Sequence, residues 1–228
     1  MAKINQQSNM DLLINNFPTY ILVFEHNPPF AKYGQLEHHV ETIRRRRELG
    51  SATEAIFDNQ FLKSLYLTLG AWGIGVRASK LKSFDAFVSA LQAKGPEIAV
   101  LEKAAIDDPK LDPNATGRQL WLLIDGLDIV ENNTPIVAGS KALHHVLPDL
   151  MVPIDRAYTQ KFFCWQNPTF QYEQRSCFGH AFVAFTRIAR KTTPNQYISN
   201  GGWHSSTTKI IDNAIVGLIR STSQSARG

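Results

Sequence analysis

The stretch IVAGSKALHHVLPDLMVPIDRAY, from Ile136 to Tyr158, holds the most chemically versatile side chains of the chain at a suggestive spacing. Gly139 permits a tight turn, and Ser140 is a natural cap for a helix carrying Lys141, His144 and His145 up to Pro148. Pro153 and Asp155 then open the next helix, through Tyr158, Lys161 and Phe162. Lys141 and Asp155 thus stand near two successive helix starts, fourteen positions apart, and two such starts can face one pocket. A lysine amine whose pKa is lowered by desolvation attacks a sugar carbon and forms a Schiff base. An aspartate at a helix N-terminus stays ionised and takes a proton from an attacking amine or water, or stabilises positive charge on a sugar. The plainer reading makes Lys141 a surface residue and Asp155 a cap.

Other groups qualify the picture. Phe162, Phe163, Trp165, Phe170 and Tyr172 follow the Asp155 helix, close to Lys161 and Arg175. Such rings stack on an extruded base. Phe162 and Phe163 are assigned to the core, whereas Trp165, Tyr172, His144 and Tyr158 are the candidate pocket walls. Trp203 and His204, in a Gly-Gly-Trp-His loop, are expected to be exposed and to touch a ligand. His145 and Asp149 are spaced i, i+4, but Pro148 interrupts the helix between them. His144 lies on a different helical face, and the adjacent His38 and His39 diverge, so neither a metal nor another cofactor is expected. Cys164 and Cys177 form no CxxC pair, which excludes a disulfide scaffold and a multi-cysteine zinc site. No nucleophile elbow GxSxG is present.

The order Gly139-Ser140-Lys141, short helix, Pro153-Ile154-Asp155, next helix resembles the signature segment of the helix-hairpin-helix DNA glycosylases. The resemblance implies a hairpin at Val137, Ala138, Gly139 and Ser140 that binds DNA backbone through its amides. It implies Lys141 as the nucleophile of a bifunctional enzyme and Asp155 as the catalytic carboxylate. Val137 stands where the family's hairpin carries its first glycine, and the lysine–aspartate spacing is shorter than usual. The nucleic-acid contacts implied here are Gly139, Ser140, Arg156, Lys161 and Arg175, with duplex DNA as the partner. Trp72-Gly73 with Lys80-Leu81, taken with Ser140-Lys-x-Leu-His144 and Pro153-x-Asp155, also resembles an uncharacterised bacterial all-helical family, which implies no activity.

The elements that must position these residues read as helices. Leu36, Val40 and Ile43 share a face on a stretch that ends in the four arginines Arg44–Arg47, where cations suit a solvated helix C-terminus. Ser51-Ala-Thr-Glu54 fits a capping box before the apolar run Ile56–Trp72. The glycine-rich Trp72–Arg77 segment follows a helix rather than a strand, which argues against a dinucleotide loop. Further helices are expected after Ser83, from Pro96, around Leu120–Ile129, over 172–190 and after Ser205–Thr208, with only Tyr20–Phe24 patterned as a strand. The expected fold is all-α: one domain of about eight helices over residues 1–228, with 1–30 as an N-terminal segment packed on it.

Composition bounds what such a fold does. The chain has 228 residues, 43% hydrophobic and 19% charged, and no apolar run of the ~18 residues that span a bilayer. Without an apolar leader at the start, a cytoplasmic address and no membrane partner are expected. Residues 156–228 carry nine Lys and Arg against two Asp and Glu, whereas the preceding part is slightly acidic. That asymmetry suits a polyanion or a solubilising face. Three functions stay open: a glycosylase-like enzyme, a non-enzymatic DNA- or RNA-binding module, and a helical interaction protein.

Overall fold

A computed structural model describes residues 6–30, 34–75, 80–132 and 135–225. They form thirteen α-helices and one 3-10 turn, Pro194–Tyr197, with no strand beyond an isolated bridge between Leu81 and Val130. The fold is all-α and a single domain. In chain order the helices are α1 Gln6–Asn15, α2 Phe17–His26, α3 Gln35–Glu48, α4 Ala52–Ala55, α5 Asn59–Ala71, α6 Phe84–Gln92 and α7 Gly95–Leu101. There follow α8 Pro113–Gly126, α9 Pro135–Val146, α10 Thr159–Phe162, α11 Asn167–Tyr172, α12 Gln174–Thr192 and α13 Thr207–Ser225. The count exceeds eight because α1 and α2 occupy the N-terminal segment that the sequence pattern does not mark as helical, and α4 and α11 are pieces of four and six residues, too short for a periodic pattern to register. No helix among the described residues is long and apolar enough to cross a membrane.

Local chemistry sets the helix starts. Ser51 Oγ accepts from the Glu54 amide at 2.9 Å, Asp58 from the Phe61 amide at 2.6 Å, and Asp112 from Asn114 and Ala115 at 2.8 and 3.2 Å. Each supplies an acceptor to amides that no turn precedes. The Tyr20–Phe24 run is helical, not extended. Pro18 sits in the first turn of α2, and Phe17, Ile21 and Phe24 bury one face while Leu22 stays 53% exposed. That spacing, i, i+4, i+7, satisfies a helix packed along α13, and tertiary burial overrides the β-propensity of the run. Gly217 makes the crossing possible: a Cβ there would lie 2.0 Å from the Tyr20 carbonyl oxygen.

Helix α13 is buried on every side from Thr207 to Ile219 and forms the centre of the molecule. Helix α12 lays Phe178 and Phe182 against α8, where Gly117 lets the Phe182 ring approach to 3.3 Å of its Cβ position, and its buried Phe185 meets Phe163 edge-on at 5.6 Å. Burying each such ring stabilises the fold by roughly 1.5–3 kcal/mol. Helix α9 crosses α8 at Gly139, whose Cβ position lies 3.0 Å from Ile124 Cγ2. Gly139 therefore serves close helix packing. It is not a turn, because α9 runs unbroken from Pro135 to Val146. The four arginines of α3 are all engaged. Arg46 is buried and donates to the Val146 carbonyl at 2.7 Å, Arg44 and Arg45 pair with Glu41, and Arg47 pairs with Asp149 at 2.9 Å. The solvated C-terminus expected of this segment is, at Arg46, a strut between α3 and the last carbonyls of α9.

Candidate functional site

A cavity of about 680 Å³ opens between the start of α9, the end of α5, the 153–158 segment and the first turns of α13. Trp72, Trp203, Phe30, Tyr158 and Phe170 supply its aromatic surface. Lys141, Asp155, Arg156, Lys209 and Asp212 supply its charge.

Lys141 and Asp155 both line this cavity. Lys141 Nζ donates to the Trp72 carbonyl at 3.0 Å and lies 5.7 Å from the Trp72 ring. Burial pushes its pKa down and Lys209 adds to that, while Asp155 and Asp212 pull the other way, and the net direction is downward. Asp155 does not begin α10. It precedes that helix, and its Oδ1 accepts from the Tyr158 and Thr159 amides at 2.7 and 3.3 Å. The carboxylate is thus held in place by the turn that leads into α10. Ser140 fixes one partner against the other: its Oγ accepts from the Ile154 amide at 3.0 Å and donates to the Val137 carbonyl at 3.1 Å. Ser140 therefore pins the Asp155 segment onto α9.

Several expectations are corrected. Val137, Ala138, Gly139 and Ser140 lie inside α9, so their amides belong to helical hydrogen bonding and no backbone-binding hairpin forms there. Trp165 stacks on Phe163 at 4.5 Å, and Tyr172 is 79% exposed, and neither is among the residues lining the cavity. The neighbouring Phe170 lines it instead, because α11 turns that face inward. His144 is fully buried behind the cavity wall, not in it. Trp203 and His204 are buried, since the Gly201–Gly202 turn folds them onto α2 and α3 rather than out to solvent. Tyr158 does line the cavity, edge-on to Phe30 at 6.0 Å. Arg156 lines its rim beside Phe170, Lys161 is exposed on α10 away from it, and Arg175 lines a separate small depression with Arg118.

Of the basic residues of the last third that are described, only Arg156 and Lys209 line the cavity. Arg190 donates to the carbonyls of Asp108 and Leu111 at 2.6 and 2.7 Å, and Arg187 faces Asp11 at 4.0 Å. Lys209 is internal, and Arg227 lies outside the described residues. Val76 and Arg77 of the glycine-rich segment also lie outside them, while Gly73 and Gly75 adopt positive φ of 83° and 115°.

Sequence reasoning missed Lys209 and Asp212. Lys209 is 1% exposed, and its Nζ meets Asp212 Oδ2 at 2.5 Å. Four rings surround the ammonium, Trp203 at 5.0 Å, Phe30 and Trp72 at 5.3 Å and Phe24 at 6.0 Å. Burial pushes the Asp212 carboxyl up against the pull of Lys209. The available signal was a charged i, i+3 pair in the run Ile210, Ile211, Ala214, Ile215, which a surface helix would carry on its polar face only. No protein-family model, curated protein or solved structure matches this chain.

Proposed function

We propose that the protein receives a nucleobase still joined to its sugar, carried on nucleic acid, and cleaves the N-glycosidic bond. The observation that carries the reading is one cavity, about 680 Å³ and walled by aromatic rings, that both Lys141 and Asp155 line. Its size lies within the ordinary range of ligand pockets, and its rings offer the stacking surfaces that a base leaving a helix requires. The resemblance of the 139–155 segment to the glycosylases supports the same chemistry for the same two residues.

The steps balance on this chain's residues. Neutral Lys141 attacks the sugar carbon that bears the base, and the carbon–nitrogen bond breaks with its electron pair going to the base, which takes up a proton. Asp155 accepts the proton lost by the amine. As the sugar ring opens, Asp155 returns that proton to the ring oxygen and the iminium stays joined to Nζ, while water supplies the proton of the departing base. Asp155 is anchored by the Tyr158 and Thr159 amides, so its position does not depend on substrate. Phosphate contact falls to Arg156 at the rim and to exposed Lys161, not to a hairpin.

The test is a panel of duplexes and single strands carrying deaminated, oxidised, alkylated or missing bases, with borohydride to trap the iminium and alkali to reveal base loss without it. One substrate is expected to give an adduct that Lys141→Gln abolishes and whose rate Asp155→Asn lowers by about 100-fold or more. Because the Lys141 pKa is displaced downward, adduct formation should rise with pH and level off below the ordinary lysine range near 10.4. Full base release by both variants would remove the mechanism. A second reading, binding without chemistry, is favoured by the capping role of the Asp155 carboxylate. It predicts steeply salt-dependent retention of oligonucleotides and no adduct on any of them.

A further inference from the structure

Behind the Trp72–Trp203 wall, three histidines that the sequence scatters over two helices converge. His39 comes from α3, and His144 and His145 come from α9. The His39 ring stacks on His144 at 5.8 Å and meets His145 edge-on at 5.1 Å, and all three side chains are fully buried. One nitrogen from each ring can be chosen so that the three lie within 4.8 Å of one another.

The outer nitrogens explain which atoms face inward. His145 Nδ1 donates to the Lys141 carbonyl at 2.8 Å, and His144 Nδ1 donates to the Met151 carbonyl at 2.9 Å. A carbonyl only accepts, so both rings carry their proton on Nδ1 and present a bare Nε2 lone pair. His144 Nε2 is buried and has no hydrogen-bond partner, a cost that native interiors rarely bear. His39 Nε2 lies 2.8 Å from Ser205 Oγ, and its Nδ1 lies 3.0 Å from His145 Nε2. With its proton on Nε2, donated to Ser205, His39 turns a third lone pair toward the other two.

We propose that His39, His144 and His145 bind one divalent transition-metal ion of the zinc class. Metal-binding histidines characteristically donate their second nitrogen to a carbonyl, carboxylate or hydroxyl, and here the partners are two carbonyls and one hydroxyl. Zinc–nitrogen bonds of about 2.0–2.1 Å bring tetrahedral ligands to roughly 3.4 Å apart, so small ring rotations close the set. Burial lowers the pKa of all three imidazoles and keeps them in the neutral, ligating form. The nearby Lys209 ammonium opposes a cation, but Asp212 against it offsets that charge. Since His39 also stacks on Trp203 at 5.5 Å and lies 5.2 Å from Trp72, the ion would clasp α3 to α9 and stiffen the cavity's aromatic wall. This site stands independently of base release.

The experiment uses the full chain stripped with chelator, dialysed, then loaded with Zn(II) or Co(II) and freed of excess by gel filtration. Atomic emission should find one equivalent retained, with a rise in thermal midpoint of about 5 °C or more and a Co(II) visible spectrum of four-coordinate intensity. His39→Gln and His144→Gln should lose the ion, whereas His180→Gln, at an exposed position, should keep it. Failure of the wild-type chain to retain either ion overturns the proposal, whether or not the variants fold. Undiminished retention in His39→Gln and His144→Gln overturns it as well.

Discussion

At the scale of single residues, the strongest constraint is the Lys209–Asp212 pair, buried to 1% and 5% exposure among rings and aliphatic side chains. A charge in that setting is tolerated only because its partner is held against it. Lys209→Met leaves Asp212 alone in the interior and should cost about 3–5 kcal/mol in urea unfolding at pH 7. The Asp212 carboxyl already has a raised pKa, so this loss should shrink as pH falls and the carboxyl takes up a proton. Replacing both residues, as Lys209→Met with Asp212→Leu, should cost less than either single change, because no charge is then stranded. A double variant as unstable as the sum of the singles would mean that the two charges are not coupled and that each contributes on its own. Lys141 differs in its setting: it borders the cavity, its amine donates to a backbone carbonyl and, among the described residues, has no adjacent carboxylate in a hydrogen bond, and burial lowers its pKa.

At the scale of elements, the glycines separate close packing from idle space. Gly217→Ala places a methyl group 2.0 Å from the Tyr20 carbonyl oxygen, and α2 must move off α13 to admit it. A loss of about 3 kcal/mol is expected by chemical denaturation. Gly179 lies inside α12 with nothing within 4 Å of its Cβ position, so Gly179→Ala should instead add about 0.5–1 kcal/mol by lowering the entropy of the unfolded chain. Equal effects of the two changes would contradict the crossing of α2 over α13. These elements also show what a sequence exposes to reading. The caps at Ser51 and Ser83, the Pro148 stop and the two closing helices are written locally, as side chains whose partners lie three or four residues away. Lys141 and Asp155 are close in sequence too, but they reach the cavity from the middle of α9 and from the segment before α10, not from two facing helix starts. The His39–His145 contact spans 106 residues and the Trp203 side of the cavity is further still, so no local period announces them. Gly139 misled because glycine serves both turns and close helix contacts, and only the position of Ile124 decides between the two.

At the scale of the molecule, the N-terminal segment is structural rather than appended. Phe17, Ile21 and Phe24 are buried against α13, and Phe24 and Phe30 complete the rings around Lys209. Burial of those first three side chains is worth roughly 5–9 kcal/mol, comparable to the whole stability of many domains. A chain lacking residues 1–26 should therefore lose its cooperative urea transition and bind a dye specific for exposed apolar surface. A sharp transition of unchanged steepness would show that α13 is stable without its cover. The rings around Lys209 carry one more consequence, for selectivity. Faces of tryptophan and phenylalanine attract positive guests, and the protein has already seated its own ammonium there. A second cation, such as a quaternary amine, finds those ring faces already taken by the ammonium and gains little from them, although Asp212 offsets the ammonium's charge. The hollow should thus lack the preference for cationic guests that an empty aromatic cage shows, and should take flat neutral molecules by stacking.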